Sequence, residues 1–300
     1  MAQPTESASA TPTLQVIGVA MIAMVTWGAT PVATKLGVAE IDPLVIGILR
    51  TLLAALITAP LALILRVARP GTGGDCLLLA ASSLGGFVGF PLLFSIGVGM
   101  TSATHGALVL ASLPVFTGLF AALAEKRRLA LRWWLGCSIA MAGEVLLIGF
   151  GFGFEDTGAS ITGDLIILVS CGAASLGYVA GGRLSRSIGT WPTTLWGITC
   201  GGLLLAPVLP FALSRVAWES VGATGFLAVA YLVLLSSILA YVAWYWALSR
   251  GDMARVGALQ FTQPIVGVAL AALVLSEPIN PPLALAAAGI LLGVWIVQKK

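Results

Sequence analysis

The chain has 300 residues, 59% of them hydrophobic and only 9% charged, and its mean hydropathy is +1.04. A soluble chain carries about a quarter charged residues, so ordinary soluble folds are excluded. Fifteen Lys and Arg against twelve Asp and Glu, with one His, leave no basic stripe to neutralise several phosphates, which excludes nucleic-acid binding.

Residues 1–13 are rich in Ser, Thr, Ala and Pro, with Glu6 and no Lys or Arg. Lacking a basic start, they read as a disordered tail rather than a cleaved signal peptide. A membrane-crossing helix needs about 20 mostly apolar residues, and the spacing of the charges divides the remaining chain. Leu14–Thr34 is the first expected span, ending at Lys35, whose stem can snorkel to the interface. Asp42–Leu65 is the second, interrupted only by Arg50. Cys76–Ala124 has no formal charge and is long enough for two, with Gly97, Gly99, Thr101 and Ser102 as the expected turn. Leu131–Phe150, which contains Glu144, is the fifth, and Thr162–Gly182 the sixth. Thr193–Leu213, Gly222–Ser249, Ala254–Leu275 and Pro281–Val297 complete an all-α integral membrane protein of ten spans. The four cysteines lie in or beside apolar runs without metal-ligand spacing and read as small buried hydrophobes. No metal or cofactor is expected.

Short cytoplasmic loops collect Lys and Arg. With both termini inside, twelve of the fifteen basic residues fall on the inner side: Arg66, Arg69, Lys126, Arg127, Arg128, Arg132, Arg183, Arg186, Arg250, Arg255, Lys299 and Lys300. Lys35 and Arg215 fall outside, together with seven acidic residues. Dropping one span would invert every later loop, so the segregation supports the count of ten.

The chain also repeats itself. At an offset of about 150 residues, the stretch from Leu92 lies against the stretch from Tyr241, so that Pro114 meets Pro264 and Ala121-Ala122-Leu123 meets Ala271-Ala272-Leu273. Five helices per half is an odd number, so the second half must insert upside down relative to the first. The expected organisation is 14–150 as the first five-helix repeat, 151–161 as a periplasmic linker and 162–298 as the second repeat. Inverted repeats are a common design of secondary transporters, with the substrate site at the midplane between them.

The five-plus-five layout, the run WGATPVATK in the first helix, Arg50 in the second and the stretch LPVFTGLFAALAEKRRL resemble the drug/metabolite transporter superfamily, in particular its EamA-type members. The aromatic-rich eighth span resembles bacterial amino-acid exporters. The resemblance implies a multi-pass protein of the bacterial inner membrane that exports a small metabolite.

Ionisable groups inside a membrane are costly and face a partner or a wet cavity. Arg50 and Glu144 lie about 12 and 9 Å in from the outer ends of their helices, at 1.5 Å per residue, and are expected to form a structural ion pair or an outer gate. Gln260 and Gln263 share one face of the ninth span just before Pro264, whose counterpart Pro114 follows Ser112. Paired helix breaks at equivalent positions point to a binding site, so both prolines are expected hinges. Trp27, loosened by Gly28, Thr30 and Pro31, is expected in the cavity with Tyr178. Tyr241, Trp244 and Tyr245 form an aromatic stripe of the eighth span at helical spacing with Leu248. His105, opening the fourth span, can line the route or sit at the interface. Trp133, Trp134, Trp191, Trp218 and Trp295 lie at span ends and read as an interface belt.

The candidate substrate-binding set is therefore Trp27, Tyr178, Tyr241, Trp244, Tyr245, Gln260, Gln263, Ser112 and His105. It is aromatic, hydrogen-bonding and uncharged, which suits a zwitterion with an apolar side chain, such as an aromatic or large neutral amino acid. A proton-coupled exporter of cationic drugs is expected to carry a carboxylate in the first helix, and Leu14–Thr34 has none. Sugar phosphates call for several inward basic residues. A multidrug or other metabolite carrier of the same fold is the alternative. An integral-membrane enzyme is the remote one, for want of a nucleophile with a base at workable spacing. The expected partners are a small-molecule substrate and the lipid bilayer, with no obligatory protein partner.

Overall fold

The computed structural model describes residues 13–101, 109–110, 112–152, 160–263, 265–266 and 281–299; the side chains of Pro31, Glu144, 147–152, 282, 283 and 286 lie outside that description. All regular structure among the described residues is helical. In lipid, a helix satisfies its own backbone polar groups without water.

Among the described residues six helices are long and apolar enough to cross a membrane: α1 (Leu14–Glu40), α2 (Pro43–Ile64), α3 (Gly73–Met100), α6 (Ile161–Ile188), α7 (Thr190–Leu213) and α8 (Ala223–Arg250). Between them in chain order lie α4 (Leu113–Ala124) and α5 (Leu131–Phe152), followed at the end by α9 (Met253–Ala258), which tightens into a 3-10 turn over Leu259–Thr262, and α10 (Pro281–Gln298). Polar residues mark the starts. Asp42 Oδ1 accepts from the backbone N–H of Leu44 at 2.9 Å, with Pro43 opening the helix; Thr72, Ser160 and Asp252 cap α3, α6 and α9 in the same way.

The expected turn at Gly97 and Gly99 begins later. The helix continues to Met100, and Thr101 turns the chain. Both glycines serve close packing instead: a Cβ on Gly97 would sit 2.5 Å from Ile167 Cγ1 of α6, and one on Gly99 2.7 Å from Pro43. Trp133 also departs from the expected belt. It is buried, its Nε1–H donating to Ala254 O at 3.4 Å and its ring filling the space a side chain on Gly118 would need. Cys76, expected buried, is exposed near the start of α3, whereas Cys137 and Cys171 are buried.

Five of the larger packing pairs obey a rule. α5 lies along α10, α2 along α7 and α4 along α9, while α3 packs on α6 and α1 on α8. Adding five to every helix number, cyclically, returns the same set. Both α3 and α8 have 28 residues, and each contains a π-helical stretch at the same place, Ser83–Gly89 and Leu232–Leu239. Two loop residues adopt left-handed backbone without being glycine: Arg66 after α2 (φ 48°) and Lys126 after α4 (φ 51°).

Candidate functional site

Where α1, α6 and α8 meet, the rings of Trp27, Tyr178, Tyr241 and Trp244 form a cage. Trp27 stacks on Tyr178 with centroids 5.3 Å apart and planes 20° apart, while Tyr241 and Trp244 approach Trp27 edge-on at 5.3 and 5.7 Å. Such offset-stacked and edge-to-face pairs match the ring quadrupoles, at about 0.5–1.5 kcal/mol each beyond the area buried. Phe87 of α3 packs against Tyr241 at 4.3 Å, and Tyr245 meets Tyr241 at 5.5 Å. The helical spacing of Tyr241, Trp244 and Tyr245 places all three on one buried face of α8.

Two polar tips of the cage are bound to backbone carbonyls within irregular helix. The Trp27 Nε1–H donates to Ser236 O at 3.0 Å, inside the π-helical stretch of α8. The Tyr241 hydroxyl donates to Gly86 O at 2.7 Å, inside the corresponding stretch of α3. Tyr245 shares a hydrogen bond with Ser82 at 2.8 Å. These residues approach so closely because α3 and α6 cross on glycine: a Cβ on Gly177 would collide with the Gly86 backbone. The Trp244 Nε1–H is buried and has no acceptor among the described residues.

A cavity of about 20 Å³ lies beside the cage, walled by Trp27, Thr30, Phe90, Phe94, Leu110, Leu113, Tyr178 and Gln263. That volume holds about one water. A larger open groove of about 290 Å³ lies between α4, α5 and α6, with Val109, Ser112, Met141 and Asp164 in its wall. Leu110 and Leu113 face the small cavity and Val109 and Ser112 the groove, so the start of α4 partitions the two. Ser112 is thus on the groove side, away from the aromatic cage.

Pro114 sits at the start of the helix Leu113–Ala124, after a turn closed by Ser112 N to Val109 O at 3.0 Å. The Leu113 carbonyl accepts from Thr117 Oγ1 at 2.9 Å and from Ser175 Oγ at 3.1 Å. Gln260 joins this group through Oε1, 3.1 Å from Thr117 Oγ1, where it shares the single hydroxyl proton with the Leu113 carbonyl, and its Nε2 is buried without a partner among the described residues. Gln263 reaches Met24 Sδ at 3.7 Å. The 3-10 turn of α9 ends at Thr262, two residues before Pro264, which lies outside the described residues, as does His105.

Arg50 is 1% exposed. Its Nη2 donates to Ser236 Oγ at 3.0 Å, its Nε to Ser237 Oγ at 3.4 Å, and its guanidinium carbon lies 5.9 Å from the Phe90 centroid. Ser236 Oγ is also 3.0 Å from Thr30 Oγ1. The Glu144 side chain is outside the described residues, and its helix packs on α10 rather than beside α2.

At the end of the bundle that carries most of the basic residues, Arg127 bonds Glu125 at 2.6 Å and Asp252 at 2.9 Å, and Arg186 approaches Glu125 at 3.6 Å. Burial alone lowers the Arg127 pKa, but Asp252 and Glu125 outweigh it and hold the guanidinium above its ordinary value. This cluster joins the α4–α5 loop to the α8–α9 loop and the end of α6.

The model of the EamA-like transporter family matches residues 14–149 and again 161–298. The chain belongs to this family. EamA-like relatives include the uncharacterized transporter YdeK of Bacillus subtilis, 32% identical over 84% of this chain and 86% of that one. A probable amino-acid metabolite efflux pump of Salmonella typhimurium is 28% identical over 92% of both chains. The uncharacterized inner membrane transporter YedA of Escherichia coli K12 is 27% identical over 86% of this chain and 82% of that one. A crystal structure at 21% identity, covering 94% of this chain and 96% of that one, has a TM-score of 0.74 and shows the same fold. As an EamA-like protein the chain is a multi-pass membrane transporter of small molecules.

Within this EamA-like chain, sequence reasoning missed Ser236, Ser237, Thr30, Phe87 and Phe90, which hold the cage and Arg50. Ser236-Ser237 carried a signal, being a hydroxyl pair inside the otherwise apolar run of α8. Phe87 and Phe90 carried none that separates them from ordinary core phenylalanines.

Proposed function

We propose that this transporter is an alternating-access carrier that exports amino acids, including aromatic and large neutral ones, across the inner membrane. In this reading ten helices form two inverted halves, 14–150 and 162–298, joined by a periplasmic linker at 151–161, with both termini cytoplasmic. The self-mapping of the helix contacts and the matched π-helical stretches support that arrangement. The observation that carries the substrate reading is the stack of Trp27 on Tyr178, edged by Tyr241 and Trp244, beside a cavity with Thr30 and Gln263 in its wall. Aromatic faces take an apolar or aromatic side chain, while the hydroxyl and amide groups take the polar end. The name of the Salmonella relative agrees with this class. Since the cavity holds about one water, its walls must part to admit an amino acid, and the turn before α4 and the 3-10 turn that ends α9 supply the places where they can bend.

The test is counterflow in proteoliposomes, with labelled phenylalanine or leucine inside and a panel of unlabelled solutes outside, run with and without a pH gradient. Exchange with large neutral amino acids is expected. Exchange confined to hydrophobic cations or sugars would overturn the substrate class while leaving the carrier.

A further inference from the structure

We propose that Arg50 is the carboxylate-binding residue of this transporter, and that its substrates are organic acids or zwitterions bearing an apolar or aromatic body. The inference deepens the reading above and rests on its carrier part. Arg50 lies within the membrane-spanning segment Pro43–Ile64 and is almost wholly buried. A guanidinium offers five N–H donors in a flat fork and stays charged. Here Nε and Nη2 are held by the uncharged hydroxyls of Ser237 and Ser236, and Nη1 is buried with no acceptor among the described residues. Among the described residues no carboxylate is bonded to it. A buried cation left without a counter-charge is expensive in lipid surroundings, and two serine hydroxyls orient the fork without neutralising it.

The direction of that unmet demand is fixed by two neighbours. Phe90, against which the guanidinium rests, is a wall of the cavity beside the cage. Thr30, another wall, shares Ser236 Oγ with Arg50. The guanidinium therefore stands one side chain behind the cavity that Trp27 and Tyr178 also line. A solute whose ring stacks on the cage needs only a modest rotation of Phe90 to lay a carboxylate against the free edge of the fork. There a charge-assisted bidentate pair forms out of reach of water.

The experiment uses matched solutes that differ only at the acid. Counterflow on the wild-type protein compares phenylalanine and 3-phenylpropionate with phenylalaninamide and phenethylamine, and thermal stabilisation of the detergent-solubilised protein by each solute gives a second reading that needs no variant. The acids are expected to exchange and stabilise, and the amide and amine to do neither. Arg50→Gln is expected to weaken the acids by at least about 30-fold, as for loss of one partner of a buried charge pair, so that they behave no better than the amide. Arg50→Lys, which keeps the charge but not the fork, is expected to fall between them.

Equal exchange of acid, amide and amine by the wild-type protein would overturn the proposal, as would wild-type exchange of the acids by folded Arg50→Gln. Exchange of phenylpropionate but not phenylalanine would sink the amino-acid reading and leave Arg50 in its role. Exchange of none of the four would sink both.

Discussion

Trp27 serves the site with both its face and its edge. The face stacks on Tyr178, and the edge fixes α1 to α8 through the Ser236 carbonyl. Trp27→Phe keeps an aromatic face and removes the donor, so it should lower stability by about 1–2 kcal/mol, the cost of leaving a buried acceptor unmade. A fall in the thermal unfolding midpoint in detergent, with exchange reduced but present, checks this. Glycine contacts offer a paired comparison within one helix. Gly177→Ala pushes a methyl into the backbone of α3 and should cost about 1–3 kcal/mol. Gly172→Ala, five residues away, meets nothing within 4 Å and should stabilise by about 0.5–1 kcal/mol through helix propensity. Folded yield on size exclusion separates the two variants, and equal behaviour would contradict the crossing described for α3 and α6. The stripe Tyr241, Trp244 and Tyr245 was legible because spacing of three and four residues forces one face. That the hydroxyl pair Ser236-Ser237 holds Arg50 was not, because a pairing between helices nearly 190 residues apart leaves no mark in either local sequence.

At the scale of the helix, most boundaries follow from where charge and caps fall. Asp42-Pro43 starts α2 and Ile64 ends it beside Arg66, close to the expected limits. The π-helical stretches and the 3-10 turn of α9 were not readable. Hydropathy is the same for any helix type, and one extra residue in a turn changes no composition. A π-helical stretch arises when a residue is accommodated within an α-helix without disturbing its flanks. Deleting Leu235, an exposed residue of the stretch in α8, should therefore return the segment to α-helix with its ends in place. The protein should insert and unfold cooperatively, yet lose exchange, because Ser236 and Ser237 turn away from Trp27 and Arg50. Retained transport in a folded deletion variant would show that the stretch has no part in the site.

At the scale of the molecule, the bundle is tied at one end by charge and in the middle by aromatic packing. Asp252 both caps α9 and pairs with Arg127, so Asp252→Asn preserves the cap and removes the pairing. Exposed ion pairs contribute about 0–1 kcal/mol. This one is partly buried and belongs to a network, so about 1 kcal/mol is expected, or a roughly fivefold shift toward the form open at this end. Faster labelling of a cysteine placed at Met253, in a protein freed of its own cysteines, by an impermeant maleimide would report it. High salt should narrow the difference from wild type.

Arg66 and Lys126 occupy positions after helix ends where left-handed backbone favours glycine. Each lies in a loop whose positive charge is expected to hold that loop on the cytoplasmic side. Replacing either by Gly should relieve up to about 1 kcal/mol in the finished structure, while weakening the signal that decides which way the neighbouring helices enter the bilayer. A topology reporter fused to the chain should then show a mixed population even though the correctly inserted fraction melts at a higher temperature. On that expectation the two residues exchange a small tension in the mature fold for a stronger signal during synthesis, before any helix has met its partner.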